Sequence, residues 1–63
     1  MRMRKTIVIV EFHYKYQELI VEGTSALFFD EGATIPMTDP ELLKEIKLQY
    51  GYNAIKILYK QKA

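Results

Sequence analysis

The sequence predicts an α+β domain: a small, mainly antiparallel β-sheet of four to five strands with one α-helix packed on one face. Three observations predict it. A helix is delimited at both ends, by Asp39-Pro40 and by Gly51. The segment after Gly51 alternates with a period of two, and the first half of the chain is dense in β-prone residues. Strands first, then one helix, then a last strand give the order β-β-β-β-α-β, an α+β arrangement.

The helix is expected over about residues 40–50. Thr38 and Glu41 fit the S/T-x-x-E capping box. That assignment makes Asp39 helical, although a residue before proline avoids the helical region. Asp39 as N-cap, with Pro40 in the first helical position, has no such conflict, and Glu41 then sits at the positive end of the helix dipole. Gly51 is the natural left-handed C-cap, with Lys47 in the last turns. At about 100° per residue, Leu42, Leu43, Ile46 and Tyr50 share one arc that must face the core. Leu48 falls on the opposite, charged side and is a candidate contact residue.

Beyond Gly51, Ile55, Ile57 and Tyr59 alternate with Lys56, Leu58 and Lys60, the pattern of a half-buried strand. Its solvent face is expected to carry Lys56 and Lys60, with Lys62 continuing the row. Residues 5–14 form a second β-prone run, apolar on both faces over residues 7–10, as in a central strand. Phe12, Tyr14 and Tyr16 then occupy even positions, whereas Leu19 and Val21 are odd. A flat strand cannot hold both sets on one face, so a bulge or a turn falls near residues 15–18. No Gly, Pro or Asn marks a tight turn there, and a bent strand and two strands remain equal alternatives. Gly23-Thr24-Ser25 is a turn signal. Residues 26–29 and 33–37 read as a hairpin around Asp30-Glu31-Gly32, with Gly32 at positive φ and Pro36 limiting the second strand to an edge or an end.

Sixty-three residues make one domain, spanning 1–63. A domain of this size buries only about 60% of the surface its unfolded chain exposes. With no cysteine there is no disulfide framework and no thiolate chemistry. Oligomerisation is a common remedy for so small a core, which favours a homodimer. Arg2, Arg4 and Lys5 precede the apolar residues 7–10, but that run ends at Glu11, too short for the core of a signal peptide. No segment has the roughly 20 apolar residues of a membrane span. A soluble, cytoplasmic protein is expected.

The formal net charge of +1 hides a segregation, because all eight acidic residues lie between Glu11 and Glu45 while both ends are basic. Arg2, Arg4, Lys5, Lys56, Lys60 and Lys62 would form a nucleic-acid-binding patch if the two ends met. Tyr52 and Tyr59 would then be available for stacking. The sequence pI of about 8.0 is lower than that of most nucleic-acid-binding domains. Lysines near an end also serve simply to protect a strand edge.

Catalytic chemistry is poorly represented. His13 is the single histidine, and with Glu11 it supplies two ligands where a metal needs three or four. The carboxylates have simpler local roles, at the helix start, the hairpin tip and a strand face. No nucleophile elbow or phosphate-cradling glycine loop occurs. The expectation is a non-catalytic interaction or regulatory module without cofactor or metal, self-associating or bound to a protein partner. Nucleic-acid binding is the alternative. Candidate interface residues are Phe12, Tyr14, Tyr16, Leu48 and Leu58. Two assignments are open for the aromatic row of residues 12, 14 and 16: the core face, or a second, uncovered face of the sheet.

Overall fold

The computed structural model describes residues 5–35 and 37–63. Strand β1 (Lys5–Tyr16) turns directly into β2 (Leu19–Asp30), and helix α1 (Asp39–Tyr50) then leads to β3 (Ala54–Lys62). The sheet has three strands in the order β2-β1-β3, with β1 central and antiparallel to both neighbours. β2 and β3 therefore run parallel to each other, and α1 is the crossover that carries the chain from one side of β1 to the other. The α+β class and the single helix are as the sequence predicts. The strand count and order are not: three strands, in the order β-β-α-β, replace the expected four or five.

The core explains the layering. Val8, Val10 and Phe12 of β1, Leu27 of β2, and Leu42 and Ile46 of α1 are fully buried together. Even positions of β1 thus lie under the helix, which resolves the aromatic row. Phe12 is core. Tyr14 packs half-buried against it, and Tyr16 is 60% exposed at the hairpin end. Gly23 lies opposite Phe12, and a Cβ there would stand 3.0 Å from Cε1 of Tyr14. Its missing side chain is what lets the two rings lie on β2.

The phase flip between residues 16 and 19 comes from a two-residue hairpin in which Tyr16 pairs with Leu19. Among the described non-glycine residues, Gln17 alone has positive φ, at 56°. Positive φ at the first turn residue only is the requirement of a type II′ turn, which glycine ordinarily fills. Gly23, Thr24 and Ser25, expected in a turn, instead pair with Phe12, Glu11 and Val10 inside β2. Having no competing partner strand, the long β2 simply follows β1 to its start. The expected second hairpin is absent, because residues 33–35 and Met37 form no strand. Pro36 lies outside the described residues. Gly32 does take positive φ, in a turn closed by Ala33 N–H donating to the Asp30 carbonyl at 3.1 Å.

The helix start is one residue earlier than Asp39 as N-cap implies. Thr38 is the extended N-cap residue, and its carbonyl accepts from Leu42 N–H at 3.0 Å. The Thr38 hydroxyl donates to the Glu41 carboxylate. Asp39 becomes helical despite preceding Pro40; its carboxylate pairs with the Lys60 ammonium at 2.8 Å, and Lys60 also donates to the Met37 carbonyl at 2.6 Å. At the other end Gly51 is left-handed and donates to the Lys47 carbonyl at 2.9 Å.

Two register shifts interrupt the simple alternation expected of β3. Glu11 pairs with Tyr59 but Phe12 with Ile57, and His13 pairs with Lys56 but Tyr14 with Ala54. Leu58 and Ile55 are the extra residues. Ala54, Ile57 and Lys60 therefore share the helix face, while Tyr59 and Lys56 face away.

The helix also covers part of the β2 edge. The Gln49 side-chain amide accepts from Phe28 N–H and donates to the Phe28 carbonyl, both at 2.9 Å, as a fourth strand would. The Tyr50 hydroxyl donates to the Ala26 carbonyl.

Two outcomes are expected from these local features. Gln17→Gly relieves a left-handed strain of about 1–2 kcal/mol against an entropic cost of about 0.5–1 kcal/mol. The variant should thus melt at higher temperature, and a lower midpoint would contradict the turn assignment. Gln49→Ala leaves the Phe28 peptide at an open edge, so its amide should lose hydrogen-exchange protection selectively while Val8 and Val10 keep theirs. Unchanged exchange at Phe28 would show that the Gln49 bonds do not persist in solution.

Candidate interaction surface

A single helix covers a single face, so the odd positions of β1 lie on a sheet surface that no described element of the chain covers. Cross-strand partners define it row by row. Lys5 stands beside Asp30, Ile7 beside Phe28, and Ile9 between Ala26 and Gln61. Glu11 stands between Thr24 and Tyr59, His13 between Glu22 and Lys56, and Lys15 beside Ile20. The surface has two halves. Ile7, Ile9, Ala26 and Phe28 make a contiguous apolar block, Phe28 being 47% exposed. Tyr59, 45% exposed, lies diagonally from Ile9 on the β3 side, across from Glu11. The other half, toward the hairpin tip, is charged.

Two pairs of charged or titratable side chains on this face are matched across β1 and β2. The Lys5 ammonium bonds the Asp30 carboxylate, and this bond with the accompanying charge attraction holds the Asp30 pKa below its ordinary value. His13 Nε2 lies 3.9 Å from Glu22 Oε2, a pairing that carries charge only when the imidazole is protonated. Such exposed pairs contribute little to stability, but they set which charges remain for a partner.

The end of β3 does lie beside the first half of β1, since Val8 pairs with Lys62 and Ala63 N–H donates to the Ile7 carbonyl at 2.8 Å. The basic side chains do not form one patch among the described residues. Lys5 and Lys56 lie on the open face, about 27 Å apart along the strands. Lys60 and Lys62 lie on the helix face, with Lys60 engaged at the helix start. Arg2 and Arg4 lie outside the described residues.

The residues singled out as interface candidates are scattered. Phe12 is buried and presents nothing to a partner, Tyr14 is half-buried, and Tyr16 is at the hairpin end. Leu48 is 70% exposed on the outer side of the helix, and Leu58 is the 39% exposed bulge residue of β3 between the rows of Glu11 and Phe12. Ile7, Ile9, Ala26 and Phe28 were missed. Their signal was the run of apolar residues at both parities in 7–10 and again in 26–29, which pair with each other.

The aromatic side chains beyond the helix end form a second cluster, on the covered face. The Tyr14 and Tyr52 ring centroids are 4.7 Å apart, and Tyr50 stacks on Tyr52 at 6.2 Å. These rings extend the core past the last turn of the helix. Among the described residues no group of three or more His, Asp or Glu could hold a metal, and no helix is long and apolar enough to cross a membrane. Comparison with protein-family models, curated proteins and solved structures gives no match to this chain.

Proposed function

We propose that the chain is a non-catalytic interaction module that self-associates through the open face of its sheet. The observation that carries this reading is the block of Ile7, Ile9, Ala26 and Phe28, half-buried except for the exposed Phe28 and covered by no described element, on a domain in which only six of the described residues are fully buried. Contiguous exposed apolar surface of this kind marks interaction sites more often than isolated exposed side chains do. Association through strand edges is disfavoured. Gln49 and Tyr50 occupy the β2 edge at Phe28 and Ala26, and β3 carries two bulges and three lysines.

Sedimentation equilibrium from about 5 to 500 μM tests the reading, a range suited to weak interfaces. The chain should pass from monomer toward dimer. Phe28→Glu or Ile9→Lys should hold it monomeric with its circular dichroism unchanged. A monomer at every concentration would sink the proposal.

A second reading, nucleic-acid binding, is favoured by one observation, the return of Lys62 at the end of β3 to the first half of β1. It is the weaker one, because Lys5 and Lys60 already have carboxylate partners and the lysines are divided between two faces. A labelled single strand titrated at low salt should bind if this reading holds, most tightly where counterion release is strongest. No binding there would remove it.

A further inference from the structure

Resting on the self-association reading, we infer that two copies stack their open faces about a two-fold axis that crosses the strands between Ile7 and Ile9, so that Lys5 of each copy meets the partner's Glu11. A face-to-face two-fold must lie in the plane between the sheets, and the strands give it two simple directions. An axis along β1 stacks each β1 residue on its own copy. Glu11 then faces the partner's Glu11 and Lys15 the partner's Lys15, so like charges oppose each other. Its one gain is Glu22 near the partner's Lys56.

The crossing axis has the opposite property. Rows equidistant from it exchange places, so Ile7 lies on the partner's Ile9 and Phe28 on the partner's Ala26. The largest side chain of the block thus meets the smallest, the condition for two sheet faces to interdigitate. One row further out, Lys5 meets the partner's Glu11, and Asp30 meets the partner's Thr24 with no like charge opposite it. Glu11 has no cation directly across either neighbouring strand of its own sheet, its partners being Thr24 and Tyr59. The partner's Lys5 supplies one. Lys5 can serve both Asp30 and the partner's Glu11, since an ammonium carries three donors.

The footprint is modest. Three strands over the rows from Lys5 to Glu11 cover about 300 Å², less than the roughly 800 Å² per partner of a standard interface. The dimer is therefore weak and concentration-dependent. The charged half of the face, from His13 to the hairpin tip, stays in water.

Charge reversal in trans tests the arrangement. Glu11→Lys sets two ammonium groups against each other at both symmetry-related contacts of a homodimer and should weaken association about tenfold. The double variant Lys5→Glu/Asp30→Lys keeps the internal pair with its signs inverted and sets a second carboxylate against the partner's Glu11. It should be weakened comparably. An equimolar mixture of the two variants should recover wild-type association as a heterodimer, because both contacts become attractive again. Thermal melts of each variant confirm that it is folded. A mixture that associates no better than its components overturns the crossing axis. So does weakening by Glu22→Lys that Lys56→Glu rescues in trans, which is the signature of the axis along β1. Wild-type protein that stays monomeric would instead overturn self-association itself.

Discussion

The structure depends on one constraint: a single helix of twelve residues has to stabilise a hairpin whose two strands are twelve residues each. The helix is about 18 Å long and each strand about 40 Å, so the helix cannot reach along the hairpin, and it can cover one face only. Among the described residues the fully buried core lies where Val8, Val10, Phe12 and Leu27 meet Leu42 and Ile46. Past the last helical turn, Tyr50, Tyr52 and Tyr14 carry the packing a little further. Beyond that the hairpin stands largely in solvent, and the described residues extend 45 Å in one direction but only 20 and 15 Å in the others. The open apolar block is the second consequence of the same shortage of covering elements.

Part of the charge segregation along the chain is answered by how the strands pair. Antiparallel pairing of β1 with β2 brings Lys5 to Asp30 and His13 to Glu22, and β3 returns Lys60 to Asp39 at the helix start. The Lys5–Asp30 and Lys60–Asp39 pairs thus each join a basic end of the sequence to its acidic middle. Lys60 shows this most directly. It ties the last strand to Met37 and Asp39 and so closes the crossover.

Legibility in the sequence tracked how local the determining physics is. The helix was readable to within a residue, because Thr38, Pro40, Glu41 and Gly51 act through their own backbones. Gly32 was readable for the same reason. The β1–β2 connection was not, because Gln17 takes a conformation that its side chain does not favour and only long-range pairing imposes. Gly23 looked like a turn residue, yet its role is to lie beneath the Phe12 and Tyr14 rings, a contact invisible without the register. The bulges at Ile55 and Leu58 moved Tyr59 and Lys56 to one face and Lys60 to the other, and no residue type announces that shift. The candidate surface was hidden by the same error. The doubly apolar runs at 7–10 and 26–29 were both visible, but their pairing follows only once Gly23-Thr24-Ser25 is part of a strand.

The even side of β1 is closed by the helix, and on the proposed self-association the odd side closes on a second copy. Methyl resonances followed by NMR over a concentration series test it most directly. The account predicts that Ile7, Ile9 and Ala26 methyls shift with concentration while those of Leu42, Ile46 and Leu48 stay fixed. Shifts at Leu48 with none at Ile7 and Ile9 would contradict it, and would move the contact to the outer side of the helix.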